Sequence, residues 1–142
     1  MKMSHLSEPA KEFIKALASA EQTRGIQQLV SLFTPQAEVR SIALKKPLTG
    51  PDGVKRFWLD YLGNFESVRS SFTHTHSSQD LTVLEWKSEG TLLDGTAINY
   101  QGVSILEYSA DKISRFRTYY DSAAFLPEGA KLLGREVTDS AT

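Results

Sequence analysis

Two histidines, His74 and His76, stand two residues apart in a polar run. On a β-strand that spacing puts both rings on one face. Such a pair suits a metal ion, or a proton-moving role, because imidazole titrates near neutral pH. The metal reading lacks a third ligand, since His5 is the only other histidine and there is no cysteine. No metal and no cofactor are therefore expected, and His74 is either a satisfied rim histidine or a candidate general acid or base. Asp121, in Tyr119-Tyr120-Asp121, is the second catalytic candidate, its other reading being a turn cap or a structural ion pair. Strand parity puts it with Arg117, on the outer face or just past the strand end. Glu85 falls on the outer face by the same count, as a solvated or interface residue.

The candidate ligand-binding set is aromatic with hydroxyls: Trp58, Tyr61, Phe72, Trp86, Tyr100, Tyr108 and Tyr120, with Ser41, Ser104 and Thr118. Buried tyrosine and serine hydroxyls need partners, which each other, water or a ligand can supply.

Three helices and a run of strands must position these groups. Ser7 can cap a first helix, and Ala10, Phe13, Ile14 and Leu17 repeat at helical spacing. A second helix follows Thr23 with the stripe Ile26, Leu29, Val30 and Phe33, and Pro35 stops it. A short β segment spans about residues 38–44. A third helix follows Gly50-Pro51-Asp52-Gly53, with Val54, Phe57, Trp58, Tyr61 and Leu62 on one face and Gly63 at its stop. The period then changes to two over about residues 67–76, 81–93, 96–108 and 112–120. Asp94-Gly95 is a hairpin signal, Ser109-Ala110-Asp111 a second turn, and Gly90 suggests a bulge. The order α-α-β-α-β-β-β-β predicts an α+β cone-shaped barrel, with three N-terminal helices packed on a strongly bent, mostly antiparallel sheet. Residues 127–142 read as a loose tail with one helical turn near Ala130–Leu133.

The 142 residues suit one domain, with its core over about residues 8–126. A net charge of −1 offers no basic surplus for nucleic acid or anionic lipid. With no signal core and no apolar run of membrane-spanning length, the expected location is the cytoplasm.

Several strings resemble the SnoaL-like, nuclear-transport-factor-2-like group. They are Leu29-Val30-Ser31-Leu32-Phe33 leading to Val39, Gly50 through Phe57, Glu85-Trp86 with Gly90-Thr91, and Lys112-Ile113 followed by Arg117-x-Tyr119-Tyr120-Asp121. The resemblance covers about Glu8 to Leu126 and implies a fold built around a pocket. That fold hosts many chemistries, and the residues at each chemistry's key positions decide among them. Where the ketosteroid isomerases of the group carry a base and an oxyanion acid, this sequence has Ser41 and Ser104. Neither hydroxyl can replace a carboxyl, so ketosteroid isomerisation is not expected. Where limonene-type epoxide hydrolases carry their Asp-Arg-Asp set, Thr118, Val83 and Glu85 stand instead.

The expected function is a small-molecule pocket protein for a largely apolar or aromatic ligand, with turnover left open; the enzyme version is a cofactor-independent cyclase, isomerase or hydrolase in which His74 or Asp121 moves the proton. The alternative is a non-catalytic dimeric binding or scaffold module. In either case parity leaves Val83, Val103, Ile105 and Tyr119 on the outer sheet face, a patch that suits a homodimer, unless Leu126, Leu132 and Leu133 fold back over it.

Overall fold

Ser7 opens the first helix, α1 (Glu8–Thr23), accepting the Ala10 N–H on its hydroxyl at 3.4 Å. A computed structural model describes residues 5–42 and 44–126; the tail and the turn near Ala130–Leu133 lie outside them. The buried face of α1 is Ala10, Phe13, Ala16, Leu17 and Ala20, and it ends on a buried carboxyl, Glu21. Arg24 closes α1 at φ +70°. A left-handed non-glycine residue costs about 1–2 kcal/mol. Its guanidinium offsets this by donating to the carbonyls of Leu62 and Glu66, both at 2.6 Å, and of Phe65.

The second helix is shorter than its apolar stripe suggests. α2 covers only Gln27–Ser31, and Phe33 already belongs to the first strand, β1 (Phe33–Ser41). Pro35 therefore lies in a strand rather than ending a helix. It is tolerated because the pairing of β1 is irregular between Phe33 and Glu38, where its missing N–H breaks no ladder. A two-residue strand, β2 (Leu48–Thr49), pairs with β1 and leads into α3 (Gly50–Leu62). Val54, Phe57, Trp58 and Leu62 form the buried face of α3. Gly63 ends α3 in right-handed geometry, without the left-handed turn that glycine usually supplies there.

Four long strands follow: β3 (Phe65–Ser77), β4 (Leu81–Leu92), β5 (Ala97–Ser109) and β6 (Lys112–Tyr120). The sheet order is β2-β1-β6-β5-β4-β3, antiparallel throughout except that β1 runs parallel to β6. The result is an open α+β sheet that curls around the helices without closing. The β4–β5 hairpin turns at Gly95, φ +88°, where Asp94 accepts the Thr96 N–H.

Two extra residues in β3 bend the sheet. Phe65 pairs with Leu92 but Ser67 with Thr91, leaving Glu66 over. Phe72 pairs with Trp86 but His74 with Glu85, leaving Thr73 over. Such bulges increase twist and bend the strand that carries them. The bulge expected at Gly90 is therefore displaced onto the partner strand. Gly90 itself is needed for close approach, since a Cβ there would lie 2.1 Å from the Ser67 carbonyl oxygen.

The core fills the space between helices and sheet. Phe13, Leu29, Val39, Val54, Phe65, Leu84, Leu106, Ile113 and Phe116 are almost wholly buried. Each large apolar side chain buried so contributes about 1.5–3 kcal/mol. Gly90→Ala should destabilise the fold by roughly 1–3 kcal/mol, because backbone rather than a flexible side chain must move; urea unfolding measures it, and an unchanged midpoint would contradict the close approach.

Candidate functional site

The inner face of the sheet carries alternate residues toward α1 and α3. From β3 come Val68, Ser70 and Phe72, from β4 Trp86 and Ser88, from β5 Ser104, and from β6 Phe116, Thr118 and Tyr120. With Phe13, Leu17 and Glu21 of α1 and Phe57, Trp58 and Tyr61 of α3, all of these but Val68 enclose one interior cavity. The room for the centre of a water-sized sphere is about 30 Å³, enough for about two waters.

The wall is a continuous set of rings. Trp58 meets Phe116 at 5.3 Å between centroids and Tyr61 at 6.2 Å, and Tyr120 meets Tyr61 at 6.2 Å and Trp86 at 6.0 Å. Gly102, opposite Trp86 in the ladder, leaves room for that indole, since a Cβ there would lie 2.6 Å from it. Phe125, in a short 3-10 turn (Ser122–Phe125), packs on Tyr100 at 5.0 Å and Tyr120 at 5.8 Å.

Two polar groups set this cavity apart from an ordinary core. The first is Glu21, only 8% exposed. Its carboxylate accepts the Ser70 N–H at 3.1 Å and the Ser70 hydroxyl at 2.5 Å. Burial pushes its carboxyl above the ordinary value, against the two bonds from Ser70 that pull it down. The second is the indole N–H of Trp58, which is buried and has no partner among the described residues. The other indole is satisfied: Trp86 Nε1 donates to the Ser104 hydroxyl at 2.9 Å, which meets Thr118 at 2.9 Å.

The hydroxyls beside Glu21 form a row with a direction. Ser70 spends its hydrogen on Glu21, so in the 2.6 Å contact between Ser70 and Ser88 it is Ser88 that donates. Tyr100 faces Ser88 across the β4–β5 ladder, and the Ser88 hydroxyl favours its ionised form. Tyr61 and Tyr100 bond to each other through their hydroxyls. Burial raises both phenols well above the ordinary tyrosine value, so both are neutral at physiological pH.

The match to one family model is decisive: the SnoaL-like domain model covers residues 11–116. The chain belongs to the SnoaL-like family. No curated protein matches this SnoaL-like domain at the sequence level. Solved structures do. An NTF2-like protein from Anabaena variabilis superposes with a TM-score of 0.75 at 19% identity, over 86% of this chain and 96% of that one. A Catenulispora acidiphila protein with a ketosteroid isomerase-like fold, in complex with trimethylamine, gives 0.71 at 19%, over 81% and 89%. TerC co-crystallized with polyporic acid gives 0.69 at 22%, over 83% and 95%. At these identities the likeness is one of fold.

The residues singled out from sequence divide into four groups. Trp58, Tyr61, Phe72, Trp86, Ser104, Thr118 and Tyr120 line the cavity. Tyr100 and Ser41 are buried just behind it, Tyr100 on Trp86 at 5.5 Å and Ser41 beside the Tyr120 hydroxyl. Tyr108 instead donates to Thr82 at 2.6 Å, in a separate hydroxyl cluster with Ser77. His74 and Asp121 lie outside the cavity. The Thr73 bulge reverses the parity of β3, so His74 and His76 turn to the outer face, where His74 Nδ1 meets Glu85 Oε1 at 2.8 Å. That contact, foremost, holds the Glu85 carboxyl below its usual range. Asp121 is exposed and caps the 3-10 turn by accepting the Ala123 N–H at 3.0 Å. Among the described residues no group of three His, Asp or Glu side chains could hold a metal.

Sequence reasoning missed Glu21, the group with most chemical capacity. The signal was available: Glu21 follows Phe13 and Leu17 at intervals of four, on the apolar stripe of α1. A carboxyl raised on folding costs stability as pH climbs from its unfolded value through its folded one, since the native state holds the proton more tightly. Glu21→Gln removes that loss. The Tm difference, variant minus wild type, should therefore become more positive between about pH 4 and pH 7. A difference that grows more negative would mean the folded carboxyl is lowered.

Proposed function

We infer that this SnoaL-like domain is a small-molecule pocket protein whose interior cavity takes a largely apolar or aromatic ligand, with Glu21 as the group that holds or moves a proton on it. The observation that carries this reading is a buried carboxyl in the wall of a cavity lined mostly by aromatic rings with a few hydroxyls. Such a group costs stability where hydrophobic packing would contribute it, which is common at functional sites. The bound molecules of two fold relatives, polyporic acid in TerC and trimethylamine in the Catenulispora protein, support a ligand of this kind. As an acid or base, Glu21 Oε would take a proton from a ligand C–H or O–H and return it to another atom, with no cofactor. The small volume requires the wall to give as a ring enters; Tyr61, Phe72 and Tyr120 are its half-buried aromatic members, and Phe125 of the 3-10 turn packs on Tyr120 from behind.

Both tryptophans of the chain, Trp58 and Trp86, line the cavity, so binding is read directly by indole fluorescence. A panel of hydroxylated aromatics, quinones and small amines should contain compounds that change this emission and raise Tm, by an amount corresponding to about 2.7 kcal/mol at 100 times Kd. Tm and emission unchanged across the panel would contradict the reading.

The second reading, a dimeric scaffold, is favoured by how little space the aromatics leave and by the outer face of the sheet. There Val83 pairs with Ile105 and Val103 with Tyr119, in adjacent rows. Tyr119 is 45% exposed. Arg115, Arg117, Glu38 and Glu107 form ion pairs at its edge, giving an apolar centre with a charged border. We propose a homodimer through this face, compatible with either reading. Sedimentation at micromolar concentration should give twice the 15.8 kDa chain mass, and Ile105→Lys should halve it; a monomeric wild type would contradict the dimer.

A further inference from the structure

We propose that the ligand class of this cavity is a small alkylammonium bearing one oxygen acceptor, held through its cation by Glu21 and the surrounding rings. The inference rests on the pocket reading above and deepens it.

Charge comes first. Among the described residues Glu21 is the one charged side chain in the cavity wall, and no Lys, Arg or His lines it. None of the ion pairs among the described residues involves Glu21. Among the described residues its only partners are the two donors of Ser70. A carboxylate offers about four lone-pair sites, so roughly half its accepting capacity is left over. The row of hydroxyls adds to this polarity. Ser88 donates to Ser70 and Ser70 to Glu21, so each dipole points its positive end at the carboxylate and favours its charged form. Neutral hydroxyls stabilise that charge without cancelling it. A cation would cancel it.

The rings supply the second part. Phe57, Trp58, Tyr61, Phe72, Trp86 and Tyr120 all border the same space. Aromatic walls attract alkylated ammonium groups through the ring quadrupoles, most strongly where water is excluded. The third part is the Trp58 N–H, a buried donor without an acceptor. A neutral hydrocarbon would leave both it and Glu21 unanswered, and an unmet buried donor is costly. The ammonium answers the carboxylate, and a hydroxyl or ether oxygen on the ligand would answer the N–H once the wall gives, because that nitrogen is sealed in the wall. The free space holds about two waters, so the wall must give even for a compact ammonium head, and by much more for a polycyclic ligand.

Choline and 3,3-dimethylbutan-1-ol share shape and hydroxyl and differ in charge, so the pair isolates the cation. Calorimetric titration of the wild-type protein should show choline binding at least about tenfold more tightly than the alcohol. Glu21→Gln, checked for native fold by circular dichroism, should bring the two within about threefold. Equal or tighter binding of the alcohol to the wild type overturns the inference, whether or not the variant folds, and leaves the pocket reading standing. A folded Glu21→Gln that keeps the preference overturns it too. Binding of neither compound also overturns it, while the aromatic panel decides the pocket reading separately.

Discussion

The sheet has to curl before anything else in this molecule can form, and β3 supplies the bend. Glu66 and Thr73 are each one residue too many for β4, and each shortens the ladder on one edge relative to the other. The first of these bulges is pinned from both sides. Gly90 lets the β3 backbone approach closer than any Cβ would permit, and the Arg24 guanidinium gathers the carbonyls of Leu62, Phe65 and Glu66. One arginine thus ties the end of α1 to the end of α3 and to the start of β3. A straight β3 would lay the sheet flat against the helices, and the space between them would close to an ordinary core.

Within that space the energetic balance is unusual. Most of the wall is aromatic and contributes through burial and ring contacts. Glu21 works against it: desolvation raises its carboxyl, and only Ser70 compensates directly. Leucine at this point of the α1 stripe would be expected to stabilise the fold more. The buried hydroxyls are otherwise arranged to satisfy one another: Trp86 with Ser104 and Thr118, Tyr108 with Thr82 and Ser77, Tyr61 with Tyr100. Against this economy the open accepting sites of Glu21 and the unpartnered Trp58 N–H stand out, and both belong to the same cavity.

The architecture was legible because its signals are long. Helical stripes in α1 and α3 and period-two runs in four strands span most of the chain, and local errors at α2 and Pro35 do not disturb them. Most of the aromatic wall followed from parity for the same reason. His74 did not, because parity survives only while pairing is regular. Thr73 carries no mark that sets it apart from its neighbours, being one more β-former in Ser-Phe-Thr-His-Thr-His. A single uncounted residue reverses every side chain beyond it: regular alternation from Val68 and Phe72 predicts His74 and His76 on the inner face, and the bulge turns them outward. Asp121 lies past the last ladder pair, where parity has no force. Glu21 was overlooked for a different reason. A charged residue near a helix end reads as solvated unless the stripe is followed through it.

The central claim is that a desolvated carboxyl faces the ligand inside the aromatic cavity. The most direct measurement is the pH titration of the Glu21 side-chain carboxyl by 13C NMR, with Glu21→Gln to assign the resonance. The account predicts a midpoint above the ordinary 4.5 in the free protein. A midpoint at or below 4.5 would show a solvated or already neutralised carboxylate and would contradict it.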